Sequence, residues 1–392
     1  MKIGVITHFR TDDNYGGVLQ TYALQKFLIR LGHSPFLLNY VSQEKSKDIS
    51  LKTILKDLLR PLVHLISASK REEYHKTLEY IQLRKANRAL NKQRKFASFL
   101  KENMSFSPIT YYTYDSLKEN PPEADVYITG SDQVWNPSLF ASSTGVWYLD
   151  FGSPSTKRIS YAASIGREVS QYEESRFKAF VNKFDAVSVR ENSAQEFCLK
   201  LGLSQTKLVL DPTLLVSFDV FLPLIQPFLT KKKKSPYVFL YYLNVESASE
   251  IEWNQITDFL TDNKLDLISV ASSGYLPAKN ILPDGYNLSY LTIPEWIGNL
   301  YFADYVVTTS FHGVTFAILT HRPFVAILLR NKYSKGNVRI TSLLSDLKLE
   351  DHILTNDRTI SDILKTPIEW SIVDQILEDK RRYSRDFLVR NI

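Results

Sequence analysis

Apolar and polar positions alternate between two periods along this chain, and the alternation predicts its architecture. Lys2–His8, Pro35–Tyr40, Asp125–Thr129, Lys157–Ala163, Ala186–Val189 and Lys207–Leu210 are short, largely apolar runs, the pattern of strands covered on both faces of a parallel sheet. Stretches with apolar residues at helical spacing separate them, beginning with VLQTYALQKFLIRLG, which ends at Gly32. A polar break at Lys231–Pro236 is the expected domain boundary. Beyond it the pattern restarts, with strands at Tyr237–Leu243, Leu265–Val270 and Tyr305–Thr309 and helices at Ser247–Asp262 and Pro294–Phe302. Two helical segments close the chain, near Arg339–Leu347 and Ser371–Val389. The prediction is an α/β fold of two Rossmann-like domains, residues 1–230 and 231–375, with a C-terminal helix over 376–392.

One stretch departs from the alternation. Residues 41–120 read as a helical insertion in the first domain, whose first helix sets Ile49, Ile54, Leu55, Leu58, Leu62 and Leu65 among Lys52, Lys56 and Arg60. Val41–Met104 carries fifteen Lys or Arg against seven Asp or Glu, a local +8 in a chain of net +6, so the remainder is near −2. Such a helix fits two readings: a packed excursion with a solvated basic face, or a helix lying on an anionic membrane surface. No recognition module for nucleic acid accompanies the charge, so that partner is not expected. At 392 residues, 44% hydrophobic and 12% aromatic, the chain can fill two cores. Its single cysteine, Cys198, excludes an internal disulfide and fits a reducing compartment. Lys2–His8 reads as a strand, not a targeting segment, and no apolar run reaches bilayer length. A cytoplasmic location is therefore expected, extending to the inner face of the membrane if the basic helix lies on it.

Candidate chemistry gathers where predicted strands end. Tyr305–Thr309 breaks at Ser310-Phe311-His312-Gly313 and continues as a helix-compatible segment. Ser310 is the expected cap, His312 faces a ligand, and Gly313 lets backbone approach closely. Ser310–Leu328 contains no Asp or Glu but does contain His312, His321 and Arg322, a composition suited to receiving negative charge. Asn14-Tyr15-Gly16-Gly17 follows the first strand, as a substrate-lining loop or as a structural turn, since GxGxxG is absent. Ser131-Asp132-Gln133-Val134-Trp135 follows another strand, lining a sugar or anion site or capping a helix through Asp132. Arg190 arrives at a strand end, as an ion-pair partner of Glu191 or as a fork for an anion. The seven histidines show no metal-ligand spacing.

Five segments taken in order, NYGGVLQTYALQ from Asn14, DVYITGSDQVWN from Asp125, VSVRENSA from Val187, LVLDPTLL from Leu208 and TTSFHGVTFAILTHRPFVAI from Thr308, resemble the polysaccharide pyruvyl transferase family. Only the basic insertion stands outside the resemblance. It implies a GT-B-like fold whose domains face a cleft. It also implies phosphoenolpyruvate as co-substrate with no cofactor or metal, and a sugar of a cell-surface polysaccharide or its lipid-linked precursor as acceptor. The product is a pyruvate ketal. Donor-binding roles carry over to His312, Arg190 and Lys332, with Ser310 and Gly313 beside them. Asp13 and Asp132 are candidates for the base, and Asn14, Tyr15, Gly16, Ser131, Gln133 and Trp135 for the acceptor side. A near-neutral imidazole can give a proton or hold phosphate, against the plainer role of a histidine that merely satisfies its turn. Two other functions stay open: a GT-B glycosyltransferase using a nucleotide sugar, and a non-catalytic polysaccharide-assembly protein.

Overall fold

Each sheet forms around one strand that is apolar almost from end to end. β1 (Lys2–Ile6) is buried beyond its first residue and β8 (Tyr237–Leu243) over all but its last, because helices cover both faces of a parallel sheet. The computed structural model describes residues 1–41, 82, 85–137, 144–166, 169–229, 235–272 and 281–392. In it β1 is flanked by β2 (Ser34–Tyr40) and β4 (Val126–Thr129), and these by β3 (Phe106–Tyr111) and β5 (Lys157–Ser160), all parallel. Parallel bridges Ile159–Ala186 and Ala163–Val189 extend this sheet to β6 (Ser188–Val189), which pairs with β7 (Lys207–Leu208). The second sheet runs β11 (Phe324–Ala326), β10 (Tyr305–Thr308), β8 and β9 (Asp266–Ser272), again parallel. Strand order reverses between β1 and β4 in the first sheet and between β8 and β10 in the second. Open α/β sheets take ligands at the carboxyl ends of such switch points.

Two sequence expectations need correction here. Phe106–Tyr111 falls within the range read as a helical insertion, yet it is the edge strand of the first sheet, with Leu37 opposite Phe106 and Tyr40 opposite Tyr111. Pro108 and alternate polar residues mask its strand character, and an edge position tolerates both. The helix expected over Ser247–Asp262 is broken at Glu252, whose φ of 53° separates a short 3-10 turn from the helix Trp253–Asp262. The basic helix expected over residues 49–65 and the break at Lys231–Lys234 lie outside the described residues.

α1 (Tyr15–Arg30) starts at Asn14, whose side chain accepts from the N–H of Gly17 at 3.1 Å, and is buried from Tyr15 to Leu28 except at Lys26. A helix buried all round must be covered on all sides. The first sheet covers one side, and α3 (Ile293–Tyr301) and α4 (Phe311–Leu319) of the second domain close the other through an aromatic seam. Tyr15 stacks on Trp296 at 5.3 Å, both rings meet Tyr241 edge-on at 5.8 and 5.1 Å, and Trp296 meets Phe316 at 5.3 Å. α2 (Phe96–Asn103) sends Phe96 against Tyr15 from the first domain. One hydrophobic core therefore runs through both domains. The closing helix, α6 (Trp370–Asn391), begins ahead of the expected 376 and returns to the first domain. Its Ser384 hydroxyl accepts from the N–H of Leu210 at 2.9 Å, and Arg381 Nε donates to the carbonyl of Leu214 at 2.8 Å. Among the described residues no helix is long and apolar enough to cross a membrane.

Candidate active site

A cleft of about 340 Å³ lies where the carboxyl ends of the two sheets face each other. The loop from His8 to Asn14 after β1, with Asp132 and Gln133 after β4, forms one wall. Thr309–His312 after β10 and Arg339 at the start of α5 (Val338–Asp346) form the other. The four switch-point strands thus supply it, as the topology requires.

His312 is seated across the domain boundary. Ser310 caps α4 by accepting from the N–H of Gly313 at 3.4 Å, which fixes the first turn and places the imidazole. The ring, with 6% of its side chain exposed, lies against the first turn of α1: a methyl group at Gly16 would stand 2.0 Å from Nδ1. Gly16 is glycine to admit this histidine. Gly313 has a similar reason, because a methyl group there would lie 2.1 Å from Thr308 Oγ1. Its close approach is to the strand before it. Nε2 of His312 has no hydrogen-bond partner and stands 3.8 Å from Asp211 Oδ2.

Behind the imidazole is a buried charge network. Arg190, with 1% of its side chain exposed, donates to Asp211 Oδ2 at 2.7 Å, Ser131 Oγ at 3.1 Å and Asp132 Oδ1 at 3.2 Å, and its guanidinium lies 4.9 Å over the ring of Phe311. Asp211 also accepts from Ser131 Oγ at 2.7 Å and from the N–H and hydroxyl of Thr213 at 2.9 and 2.7 Å. Glu191 stands on the far side, its Oε1 taking the Ser164 hydroxyl at 2.9 Å and the N–H groups of Ile165 and Gly166 at 3.0 and 3.3 Å. Burial alone would raise the Asp211 carboxyl, but His312, Arg190 and the N–H of Thr213 hold it far below the usual carboxylate range. Asp132 follows the same logic: burial pushes it up, and Arg190, His8, His312 and Arg339 together leave it lower than usual. For Arg190, burial opposes the charge, and the carboxylates of Asp211, Asp132 and Glu191 more than offset it, so its pKa is raised.

The structure brings together His312, Ser310, Asp132, Gln133, Asp13 and Asn14 on the cleft, with Gly16 under the imidazole and Ser131 bonded within the network. It places others elsewhere. Arg190, expected as a fork for the donor, spends its donors on the protein's own carboxylates, so its place is behind the cleft. Lys332 points outward, 65% exposed, paired with Glu246 at 2.5 Å. The turn at Asn331, whose side chain accepts from the N–H of Tyr333 at 2.8 Å, aims it away. Trp135 is packed in the first domain's core, stacked on Tyr148 at 5.6 Å with Nε1 donating to the carbonyl of Trp147. Tyr15 belongs to the seam, its hydroxyl donating to the carbonyl of Leu291 at 2.6 Å. Asp132 caps no described helix; it takes a φ of 69° in an isolated parallel bridge to Ala163. His321 and Arg322 sit past the far end of α4, His321 on Asp374 at 2.9 Å, and serve no part of the cleft.

Four residues escaped sequence reasoning. Asp211 precedes Pro212 at a strand end, the same signal as Asp132. Arg339 and Arg10 carry no local signature. His8 closes the first strand's apolar run and stacks on Trp147 at 4.8 Å beside the cleft. Among the described residues no three His, Cys, Asp or Glu are grouped to hold a metal ion.

Two parallel-sheet domains with their switch points across a shared cleft, tied by a returning C-terminal helix, define a GT-B-like protein with an imidazole at its centre. Within that class the chain belongs to the polysaccharide pyruvyl transferase family, whose model matches residues 14–330. The family places it among transferases of polysaccharide biosynthesis and implies a saccharide acceptor. No match was found among curated proteins. Among solved structures the chain is similar to the UDP-GlcNAc 2-epimerase of Methanocaldococcus jannaschii in complex with UDP-GlcNAc and UDP, at 12% identity, covering 100% of this chain and 99% of that one, TM-score 0.46. It is also similar to the UDP-N-acetylglucosamine 2-epimerase of Rickettsia bellii (10%, 100% and 99%, 0.48) and to Arabidopsis thaliana UGT89C1 (9%, 99% and 98%, 0.46).

Proposed function

We propose that this cleft moves the enolpyruvyl unit of phosphoenolpyruvate onto two hydroxyls of a saccharide, forming a pyruvate ketal and releasing phosphate. The observation that carries the reading is the buried imidazole of His312, wedged between α1 and the Asp211 carboxylate inside a cleft of this family. A group so placed can protonate the methylene carbon while a sugar hydroxyl oxygen bonds to the adjacent carbon. The second hydroxyl then bonds to that carbon as its bond to the phosphate oxygen breaks. Of the two hydroxyl protons released, one balances the proton now on the methyl group and one leaves with phosphate.

The donor's phosphate and carboxylate call for cations, and among the described residues Arg339 and Arg10 are the arginines on the cleft wall. Arg339 takes the part first expected of Lys332. Asp132, held ionised by Arg190, and Asp13 at the cleft's mouth are the carboxylates able to receive the hydroxyl proton. Arg190 positions Asp132 and Asp211 in this scheme. Isothermal titration of phosphoenolpyruvate, alongside a thermal-shift panel of nucleotide sugars, tests the reading. Binding of phosphoenolpyruvate that His312→Ala weakens is expected; stabilisation by a nucleotide sugar alone would overturn it.

A further inference from the structure

The central strand of the second sheet ends in a strained residue. Asn244 follows β8 with a φ of 60°, a left-handed conformation that side-chain-bearing residues avoid and that asparagine bears better than most. Three neighbours hold it there. Thr309 Oγ1 accepts from the N–H of Leu243 at 2.8 Å and donates to its carbonyl at 3.1 Å, which ties the end of β8 to the turn before α4. The N–H of Asn244 donates to the carbonyl of Ser272, at the end of β9, at 3.4 Å, and its carbonyl accepts from Asn331 Nδ2 at 2.8 Å. Asn331 is fixed in turn, donating to Glu250 Oε2 at 2.7 Å. With both backbone groups spent, the carboxamide is the part of Asn244 left to face the cleft that it lines, and among the described residues it makes no hydrogen bond. The turn alone does not call for it, since glycine takes this φ without strain.

We propose that Asn244 reads the carboxylate of phosphoenolpyruvate and so sets the cleft's choice of donor. The proposal rests on the pyruvyl-transfer reading. β8 and β10 flank the switch point of the second sheet, and Thr309 holds Asn244 beside the turn that carries His312. In that turn Ser310 caps Gly313, so the N–H groups of Phe311 and His312 are left for the phosphate, the more highly charged of the donor's two groups. Phosphate ester and carboxylate are carried on one carbon of the donor, so the carboxylate has to be met close by. The neighbouring strand end supplies Asn244 Nδ2, a neutral donor that can bond a carboxylate without competing for the phosphate. A phosphate compound lacking the carboxylate leaves this half-buried amide unpaired, which is how a polar site rejects an analogue.

The test is isothermal titration of phosphoenolpyruvate, and separately of inorganic phosphate, into wild type, Asn244→Gly and Asn244→Asp. Glycine keeps the left-handed turn and removes the amide; aspartate keeps the shape of the side chain and puts an anion where the donor was. Asn244→Gly is expected to bind phosphoenolpyruvate about tenfold more weakly than wild type and inorganic phosphate equally well, and Asn244→Asp to lose more phosphoenolpyruvate affinity than the glycine variant. Where inorganic phosphate binds too weakly to measure, the phosphoenolpyruvate ratios decide. A glycine variant that loses both ligands alike overturns the proposal, because the amide then serves the phosphate. Wild type that binds phosphoenolpyruvate with both variants unchanged overturns this assignment alone. Wild type that fails to bind phosphoenolpyruvate overturns the pyruvyl-transfer reading and this assignment together.

Discussion

Gly16→Ala probes the seat of the buried imidazole of His312. The added methyl group lies 2.0 Å from Nδ1, 2.3 Å from Cγ and 2.7 Å from Cβ of His312, where ordinary contact begins at 3.4 Å. The ring must therefore recede by about 1.4 Å, the difference of the first and last of these. It has little room, with Phe311 edge-on at 5.2 Å and the Asp211 carboxylate at 3.8 Å. Overpacking of this kind costs roughly 1–3 kcal/mol, and alanine's better helix propensity returns at most about 1 kcal/mol. A net loss of about 1–2 kcal/mol lowers the melting temperature by a few degrees in a chain of this size. Phosphoenolpyruvate affinity should fall as well, because the imidazole is displaced. Gly17→Ala is the control, its methyl group nearest the His8 carbonyl at 3.1 Å and Asn14 Nδ2 and Cγ at 3.3 and 3.5 Å. Removing the ring takes away the two shortest contacts and leaves Cβ at 2.7 Å, so Gly16→Ala should cost about 1 kcal/mol less in a His312→Ala background. A Gly16→Ala protein that melts and binds like wild type, or whose cost is equal in both backgrounds, would refute the seating of His312 against α1.

Asp211→Asn strips Arg190 of its 2.7 Å partner in a buried site and should lower stability by about 3–5 kcal/mol, read from the urea midpoint. The folded pKa values of Asp211 and Asp132 lie below their unfolded ones, so their stabilisation is full above the ordinary carboxylate range and is lost as pH falls through the lowered values. Melting temperature should be level from about pH 8 to 5 and decline from about pH 4 downward, with a shallower decline in Asp211→Asn. Arg339→Ala should weaken phosphoenolpyruvate binding roughly tenfold or more while Lys332→Ala leaves it unchanged; the opposite ranking in titration would return the donor role to Lys332. Arg94→Ala leaves Tyr15 and Ala271 without their donor and should cost about 1.5–3 kcal/mol in a thermal melt, and Arg94→Lys should not restore it, because a single ammonium lacks the fork.

The strands at the middle of each sheet were legible because they are apolar on both faces, and YVFLYYL was read to its ends. The cap at Ser310 was legible too, since Ser-x-x-Gly after an apolar run leaves few alternatives. The edge strand Phe106–Tyr111 was not, because one side of it needs no partner and its pattern is correspondingly polar. Among site residues, what failed was direction. A sequence places Arg190, Trp135 and Lys332 at strand ends or in loops, but whether each turns toward the cleft depends on neighbours far along the chain: Asp211 for Arg190, Tyr148 for Trp135, Glu246 for Lys332. Of the four residues that escaped, Asp211 and His8 stand at strand ends where a local signal exists, whereas Arg339 has the converse problem: it reaches the cleft only once the second domain is folded against the first.

The aromatic seam around Tyr15 and Trp296 governs how the enzyme can breathe. Swinging the halves apart as rigid shells would bare several large rings to water, a steep penalty at about 25 cal/mol per Å² of apolar surface. The protein should therefore melt in one calorimetric endotherm instead of two. Substrates must enter by displacement of the short segments rimming the cleft, so turnover should depend on local loop excursions and hardly at all on a global hinge.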